Sequence, residues 1–75
     1  ETRVAELLHR LAELYGTPEK GATVIGISLT HEQIAAMTGT SRVTITRVLK
    51  RLGEIGAIEI KGKLLRILDP SKLRL

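Results

Sequence analysis

Apolar residues recur at helical spacing along the first fifteen positions. Val4, Leu7, Leu8, Leu11, Leu14 and Tyr15 follow at three- and four-residue intervals, with Arg3, Glu6, Arg10 and Glu13 on the other face. This pattern predicts an amphipathic helix over Thr2 to Tyr15. Thr2 stands where a cap belongs, and Gly16 followed by Pro18 ends the helix. The period is then lost. Gly16 to Thr23 reads as a turn-rich loop, and the β-branched run Thr23 to Leu29, interrupted by Gly26, as a short strand or bulged pair.

Helical spacing returns after Thr30. The run Thr30-His-Glu-Gln33 is a capping box, in which the Thr30 hydroxyl accepts from the Gln33 amide and the Gln33 side chain reaches back. A helix therefore starts at about His31, buries Ile34, Ala35 and Met37, and stops at Gly39. Ser41 caps the next helix, which buries Ile45, Val48, Leu49 and Leu52 and ends at a Gly56 C-cap. Ala57 to Ile60 and Leu64 to Leu68 are β-prone runs, and Lys61-Gly62-Lys63 joins them into a hairpin. Asp69-Pro70-Ser71 breaks the second strand, leaving Lys72 to Leu75 as a tail or a single helical turn. No internal repeat, low-complexity tract or linker divides the chain, so it is one domain.

Two short helices joined by a tight glycine turn, the second longer and basic, describe a helix-turn-helix. Ala35 lies four residues before Gly39 and puts a small side chain where the second helix approaches closely. Gly39 supplies a turn at which positive φ is cheap only for glycine. Ile34, Ile45 and Val48 supply the apolar contacts between the helices. A generic three-helix bundle with a glycine turn is the plainer alternative.

Projection of the second helix separates core from surface. With Ile45 at zero, Leu49 falls at about 40°, Leu52 at about 340° and Val48 at about 300°. Val43 falls at about 160°, Arg47 at about 200°, Lys50 at about 140° and Thr46 at about 100°. Val43 is thus an apolar residue facing away from the core. A lone exposed valine usually means nothing, but this one is flanked by Arg42, Thr46 and Arg47 in the turns that meet base edges when such a helix enters a DNA groove. There Val43 suits thymine methyls, and Arg42 can bind guanine O6 and N7 bidentately. Arg42, Val43, Thr46 and Arg47 are the candidate base contacts. Ser41 and Thr44, at a helix N-terminus that favours phosphate, are candidate backbone contacts, although Ser41 is also needed as a cap. Thr30, Lys50 and the hairpin-tip pair Lys61 and Lys63 complete the candidate phosphate set, with a solubilising turn as the alternative for the last two. Arg51 and Arg66 carry less, since surface arginines are common.

Composition sharpens this picture. Residues 1–38 hold three Lys/Arg against five Asp/Glu, and residues 39–75 hold nine against three. The net charge of +4 is therefore an acidic scaffold joined to a basic half, the footprint of a polyanion partner. Tyr15 is the only aromatic residue, which argues against a single-strand binder that stacks bases on aromatic platforms. With no cysteine there is no thiolate metal site, disulfide or thiol nucleophile. His9 and His31 have no clustered carboxylates beside them, and no phosphate loop, G-x-S-x-G or catalytic carboxylate pair appears. The chain is not expected to be an enzyme, and His31, in the first turn of a helix, is read as a surface or backbone-contact residue. No apolar run approaches a membrane span, and no signal peptide is visible. The first residue is Glu1, which suggests a piece of something longer, or a processed or trimmed chain.

The run Leu29-Thr-His-Glu-Gln-Ile-Ala-Ala-Met-Thr-Gly-Thr-Ser-Arg-Val-Thr-Ile-Thr-Arg-Val-Leu-Lys-Arg-Leu52, with Gly56-Ala-Ile and the Lys61-Gly62-Lys63 tip, closely resembles the C-terminal winged-helix domain of the cyclic-AMP receptor protein / fumarate-nitrate regulator family. The most specific part is Thr40-Ser41-Arg42-x-Thr44-x-x-Arg47. By position, Arg42 matches the family's guanine-reading arginine, Val43 and Thr46 its other base-facing positions, and Ser41 and Thr44 its phosphate contacts. The cyclic-AMP receptor branch has a cytosine-reading glutamate where this chain has Val43, so that operator preference should not be shared. Arg-Val-Thr-Ile-Thr-Arg is more similar to the cyanobacterial nitrogen-control branch.

The resemblance implies a cytoplasmic bacterial transcription factor that binds palindromic operators as a homodimer and contacts RNA polymerase. It also implies a small-molecule effector site and a dimerisation helix N-terminal to this domain, so that residues 1–75 alone would be mostly monomeric, hold no cofactor and sense no ligand. The expected fold is α+β: a winged helix-turn-helix of three helices, a small antiparallel sheet and a C-terminal β-hairpin wing, with recognition helix 41–55 in the major groove of double-stranded DNA. The competing expectation is a winged helix used as a protein–protein module, its basic face meeting an acidic partner.

Overall fold

The computed structural model describes residues 2–73, with side chains from Arg3 onward. Three helices, α1 (Thr2–Tyr15), α2 (His31–Thr38) and α3 (Arg42–Glu54), combine with strands β1 (Gly16–Glu19), β2 (Ala22–Ile25), β3 (Ile58–Lys61) and β4 (Leu64–Ile67). The strands form one antiparallel sheet in the order β1-β2-β4-β3, and a short 3-10 turn, Pro70–Leu73, closes the chain. This is a winged helix-turn-helix, with β3 and β4 as the wing.

Helix α1 follows the predicted stripe through Val4, Leu8 and Leu11, all buried, and adds Ala5. The stripe then runs off the core: Leu14 is 66% exposed and Tyr15 is also exposed, contrary to expectation. The helix ends there because the chain turns directly into the sheet, the Tyr15 carbonyl accepting from the Gly26 amide at 2.9 Å. The expected Thr2 cap lies outside the described side chains.

The segment expected to be a loop, Gly16 to Thr23, is instead a hairpin. β1 pairs with β2 from Gly16 opposite Ile25 to Glu19 opposite Ala22. Lys20 and Gly21, both at positive φ (49° and 82°), make the two-residue turn, the conformation whose twist suits a tight hairpin. Pro18 is tolerated because β1 is an edge strand. The strand expected over Thr23 to Leu29 stops at Ile25.

The helix-turn-helix follows its predicted chemistry closely. Thr30 caps α2 in a complete capping box, its hydroxyl accepting from the Gln33 amide at 3.1 Å and its amide donating to Gln33 Oε1 at 2.8 Å. Gly39 ends α2 in the left-handed region at φ 69°, its amide bonded to the Ala35 carbonyl. Ser41 caps α3, which buries Ile45, Val48, Leu49 and Leu52 as predicted. The helix covers Arg42–Glu54 rather than 41–55; Ile55 is the C-cap, and Gly56, expected in that role, follows it at φ 78°. Ile34 and Ala35 are buried, but Met37 is 54% exposed and Thr38 is buried in its place. Thr38 can be inside because its hydroxyl donates to the Ile34 carbonyl at 2.8 Å, satisfying its one proton within its own helix.

One core joins all layers. Leu8 of α1, Ile25 of β2, Ile45 and Leu52 of α3, and Leu73 of the final turn are essentially inaccessible. The last turn, expected over Lys72 to Leu75, lies at Pro70–Leu73, with residues 74 and 75 outside the described region. It places Leu73 in the core.

Candidate nucleic-acid interface

The amphipathic sorting of α3 builds a face with a sharp boundary. The stripe Ile45, Val48, Leu49 and Leu52 anchors one side in the core, and this fixes what the opposite side presents. Val43 is 71% exposed, and Arg42, Thr46, Arg47 and Lys50 are exposed around it. These five residues line one shallow surface depression. Among the described residues, Arg42, Arg47 and Lys50 make no side-chain hydrogen bond or ion pair within the protein, so three cations on one helical face are free for an external anion. An apolar floor framed by uncommitted guanidinium and ammonium groups fits base edges flanked by phosphates.

The helix N-terminus is more tightly organised than sequence suggests. The Ser41 hydroxyl accepts from the Thr44 amide at 3.2 Å and donates to Thr44 Oγ1 at 3.0 Å. Ser41 is exposed and Thr44 half-buried. Both hydroxyls are thus in place at the positive end of α3, with Ser41 also filling its capping role. Thr30, at the start of α2, is likewise exposed and engaged in its own cap.

At the wing, Lys61 closes β3 opposite Leu64, and the two-residue turn Gly62–Lys63 leaves both lysines exposed at the tip. Arg66 belongs elsewhere. It lies in the central strand β4, where Nη1 contacts Glu59 Oε1 at 2.7 Å and Nη2 lies 3.9 Å from Glu19 Oε1. Two carboxylates, one from the adjacent strand β3 and one from β1 beyond β2, therefore occupy it.

One residue escaped the sequence reading. His31, read as a surface or backbone-contact residue, makes a side-chain contact as well: Nδ1 lies 2.8 Å from Oγ1 of Thr46, bridging the first turn of α2 to the exposed face of α3. The two positions are fifteen residues apart on different helices, so no periodicity within either one could reveal the contact. Among the described residues no group of three or more His, Cys, Asp or Glu is disposed to hold a metal ion, and no helix is long and apolar enough to cross a membrane.

Fold and face together define a winged helix-turn-helix with an exposed, basic recognition helix. The chain belongs to the Crp-like helix-turn-helix family, whose model matches residues 2–75. It is 39% identical over 71 residues to the CRP-like cAMP-activated global transcriptional regulator of Mycobacterium tuberculosis, covering 95% of this chain and 32% of that protein. It is 33% identical over 72 residues to the global nitrogen regulator of Synechococcus elongatus, covering 96% of this chain and 32% of the relative. The nitrogen-control branch is thus among the relatives, at lower identity than the mycobacterial regulator. Among solved structures, the CO-dependent transcription factor CooA from Carboxydothermus hydrogenoformans superimposes with a TM-score of 0.87 at 30% identity, over 97% of this chain and 34% of that one. A CRP/FNR-family regulator from Thermus thermophilus superimposes at 0.81 and 31% identity, over 97% and 37%. The chain spans about a third of the length of the curated relatives it matches.

Proposed function

We propose that this chain is the sequence-reading domain of a bacterial CRP/FNR-type transcription regulator, binding double-stranded DNA with α3 in the major groove. Arg42, Val43, Thr46 and Arg47 face base edges, while Thr30, Ser41, Thr44, Lys50, Lys61 and Lys63 hold the phosphate backbone on either side. The observation that carries this reading is the face of α3 opposite its buried stripe, where an exposed valine is ringed by cations that pair with no other group among the described residues. The naming of one relative as a global transcriptional regulator and of a structural neighbour as a transcription factor supports it. Binding and release of DNA need no bond-making chemistry, and none of the residues on this face is assigned a catalytic role.

Further properties follow as part of the same proposal. The whole protein would be a cytoplasmic homodimer whose two recognition helices sit about 34 Å apart, one helical turn, on a palindromic operator. It would contact RNA polymerase and respond to a small molecule held outside residues 1–75. The relatives are described as cAMP-activated in one case and CO-dependent in another, which supports placing the effector site outside this domain.

The test is an NMR titration with duplex DNA at two salt concentrations. Shifts confined to residues 41–50 and 61–63 that fade steeply as salt rises support the proposal, because phosphate contacts release counterions. Absence of shifts at low salt overturns it in favour of a winged helix that meets an acidic protein.

A further inference from the structure

Thr46 differs from its neighbours on the reading face because another helix holds its side chain. An exposed threonine in a helix ordinarily turns its hydroxyl back to the carbonyl four residues earlier, which here is that of Arg42. Instead Oγ1 meets Nδ1 of His31 at 2.8 Å. His31 is itself well anchored. It is the first residue of α2, directly after a Thr30 cap locked by both bonds of the capping box, and it is half-buried where Thr46 is exposed. The imidazole therefore rises from an anchored, half-buried backbone position, and its bond to the hydroxyl gives Oγ1 a direction.

A free hydroxyl reads DNA poorly, since it offers one proton and two lone pairs and can rotate to satisfy either kind of base edge. The contact with His31 removes that freedom. If the hydroxyl gives its proton to Nδ1, it presents only lone pairs, which suit the amino groups of adenine or cytosine. If it accepts from Nδ1–H, its proton remains for thymine O4 or guanine O6 and N7. In the first tautomer the hydroxyl can only accept; in the second it keeps its proton and one lone pair, both aimed in directions that the bond to the imidazole sets. We infer that His31 is a positioning residue for sequence recognition: it touches no base itself, and it makes Thr46 selective at one base pair. This rests on the proposed placement of α3 in the major groove.

The test is in-vitro selection from a randomised duplex library by the full chain and its variants, with unfolding midpoints measured alongside. Thr46→Val should relax preference at one base pair. His31→Leu should relax that same base pair about three- to tenfold, the worth of one hydrogen bond, and leave the others and the salt dependence unchanged. His31→Asn, whose carboxamide reaches the place of Nδ1, should restore the preference, and the double variant Thr46→Val/His31→Leu should be no worse than Thr46→Val alone. An even loss across all sequences with a shallower salt slope would instead make His31 a phosphate contact and overturn the inference, as would additive losses in the double variant or a silent Thr46→Val. Arg42→Ala separates the two levels. If it relaxes a base position while the His31 variants change nothing, this inference alone fails; if it too is silent, the DNA-reading proposal falls and takes this inference with it.

Discussion

Arg66 Nη1 sits 2.7 Å from Glu59 Oε1, directly across the β3–β4 ladder, in a register that pairs the two residues. Glu19 of β1 approaches the same guanidinium at 3.9 Å. One cation thus ties together three of the four strands, and its side chain is only 16% exposed. The wing's basic residues therefore divide into one that builds the sheet and two, Lys61 and Lys63, that project from its tip. Arg66→Met should lower stability by about 1 kcal/mol, a modest figure because Glu59 is half exposed and partly screened. It should leave the salt dependence of DNA binding unchanged. Denaturant unfolding and binding isotherms at several salt concentrations check both parts.

The two kinds of contact on the proposed DNA surface should separate cleanly by mutation. Arg42→Ala should cost on the order of 1 to 3 kcal/mol on a selected site and relax a single base position. Lys63→Ala should weaken all sequences about evenly and reduce the salt slope by about 1. Competition binding against single-base variants of the selected duplex, repeated across a salt series, measures both. If Arg42→Ala left discrimination intact, the assignment of base readout to the start of α3 would be wrong.

Much of this architecture is legible in sequence because its signals are local. The capping box at Thr30 and Gln33, the left-handed Gly39 and the apolar stripe of α3 each declare themselves within a few residues, and together they place Val43 on the outside. Where structure depends on pairing at a distance, sequence is silent. β1 shows no apolar alternation and contains Pro18; only its partner β2 makes it a strand. The eight residues of α2 are too few for a wheel to choose between Met37 and Thr38, and the choice turns on whether Thr38 can satisfy its hydroxyl internally. The His31–Thr46 contact depends on the angle at which two helices cross, which no residue in either helix encodes alone.

Acid should loosen the C-terminal turn before it loosens the rest. The Asp69 carboxyl is held below its ordinary value of 3.8, chiefly by the hydrogen bond from the Ser71 hydroxyl, with partial burial opposing and the Ser71 amide and the charge of Lys72 assisting. Both bonds are formed by one oxygen, Oδ1, at 2.6 and 3.1 Å, and they start the turn that buries Leu73. A carboxyl with a lowered folded pKa stabilises in its ionised form. That contribution is complete above the ordinary value and is lost as pH falls through the lowered one. Ser71→Ala should move the Asp69 titration, followed by carboxyl carbon shifts in NMR, back up toward 3.8. Asp69→Asn should flatten the decline of the unfolding midpoint below about pH 4.

Two glycines should respond to alanine in opposite directions. Gly16 joins α1 to β1 without an intervening residue. A Cβ there would run into the Ala12 carbonyl oxygen and lie 2.7 Å from Thr23 Cγ2. The carbonyl belongs to the backbone of α1 and cannot rotate aside, so Gly16→Ala forces apart the helix and hairpin that meet at this corner. A loss of about 1 to 3 kcal/mol is expected, the range for an overpacked site. Gly53 lies in the last turn of α3, and a Cβ there meets nothing within 4 Å. Its backbone is not in the positive-φ region, so alanine fits without strain and removes conformational freedom from the unfolded chain. Gly53→Ala should therefore stabilise by about 0.5 to 1 kcal/mol. Urea unfolding of the two variants beside the parent chain gives the signs directly. A tolerated Gly16→Ala would mean that the junction between α1 and β1 is looser than the close approach of Ala12 and Thr23 implies.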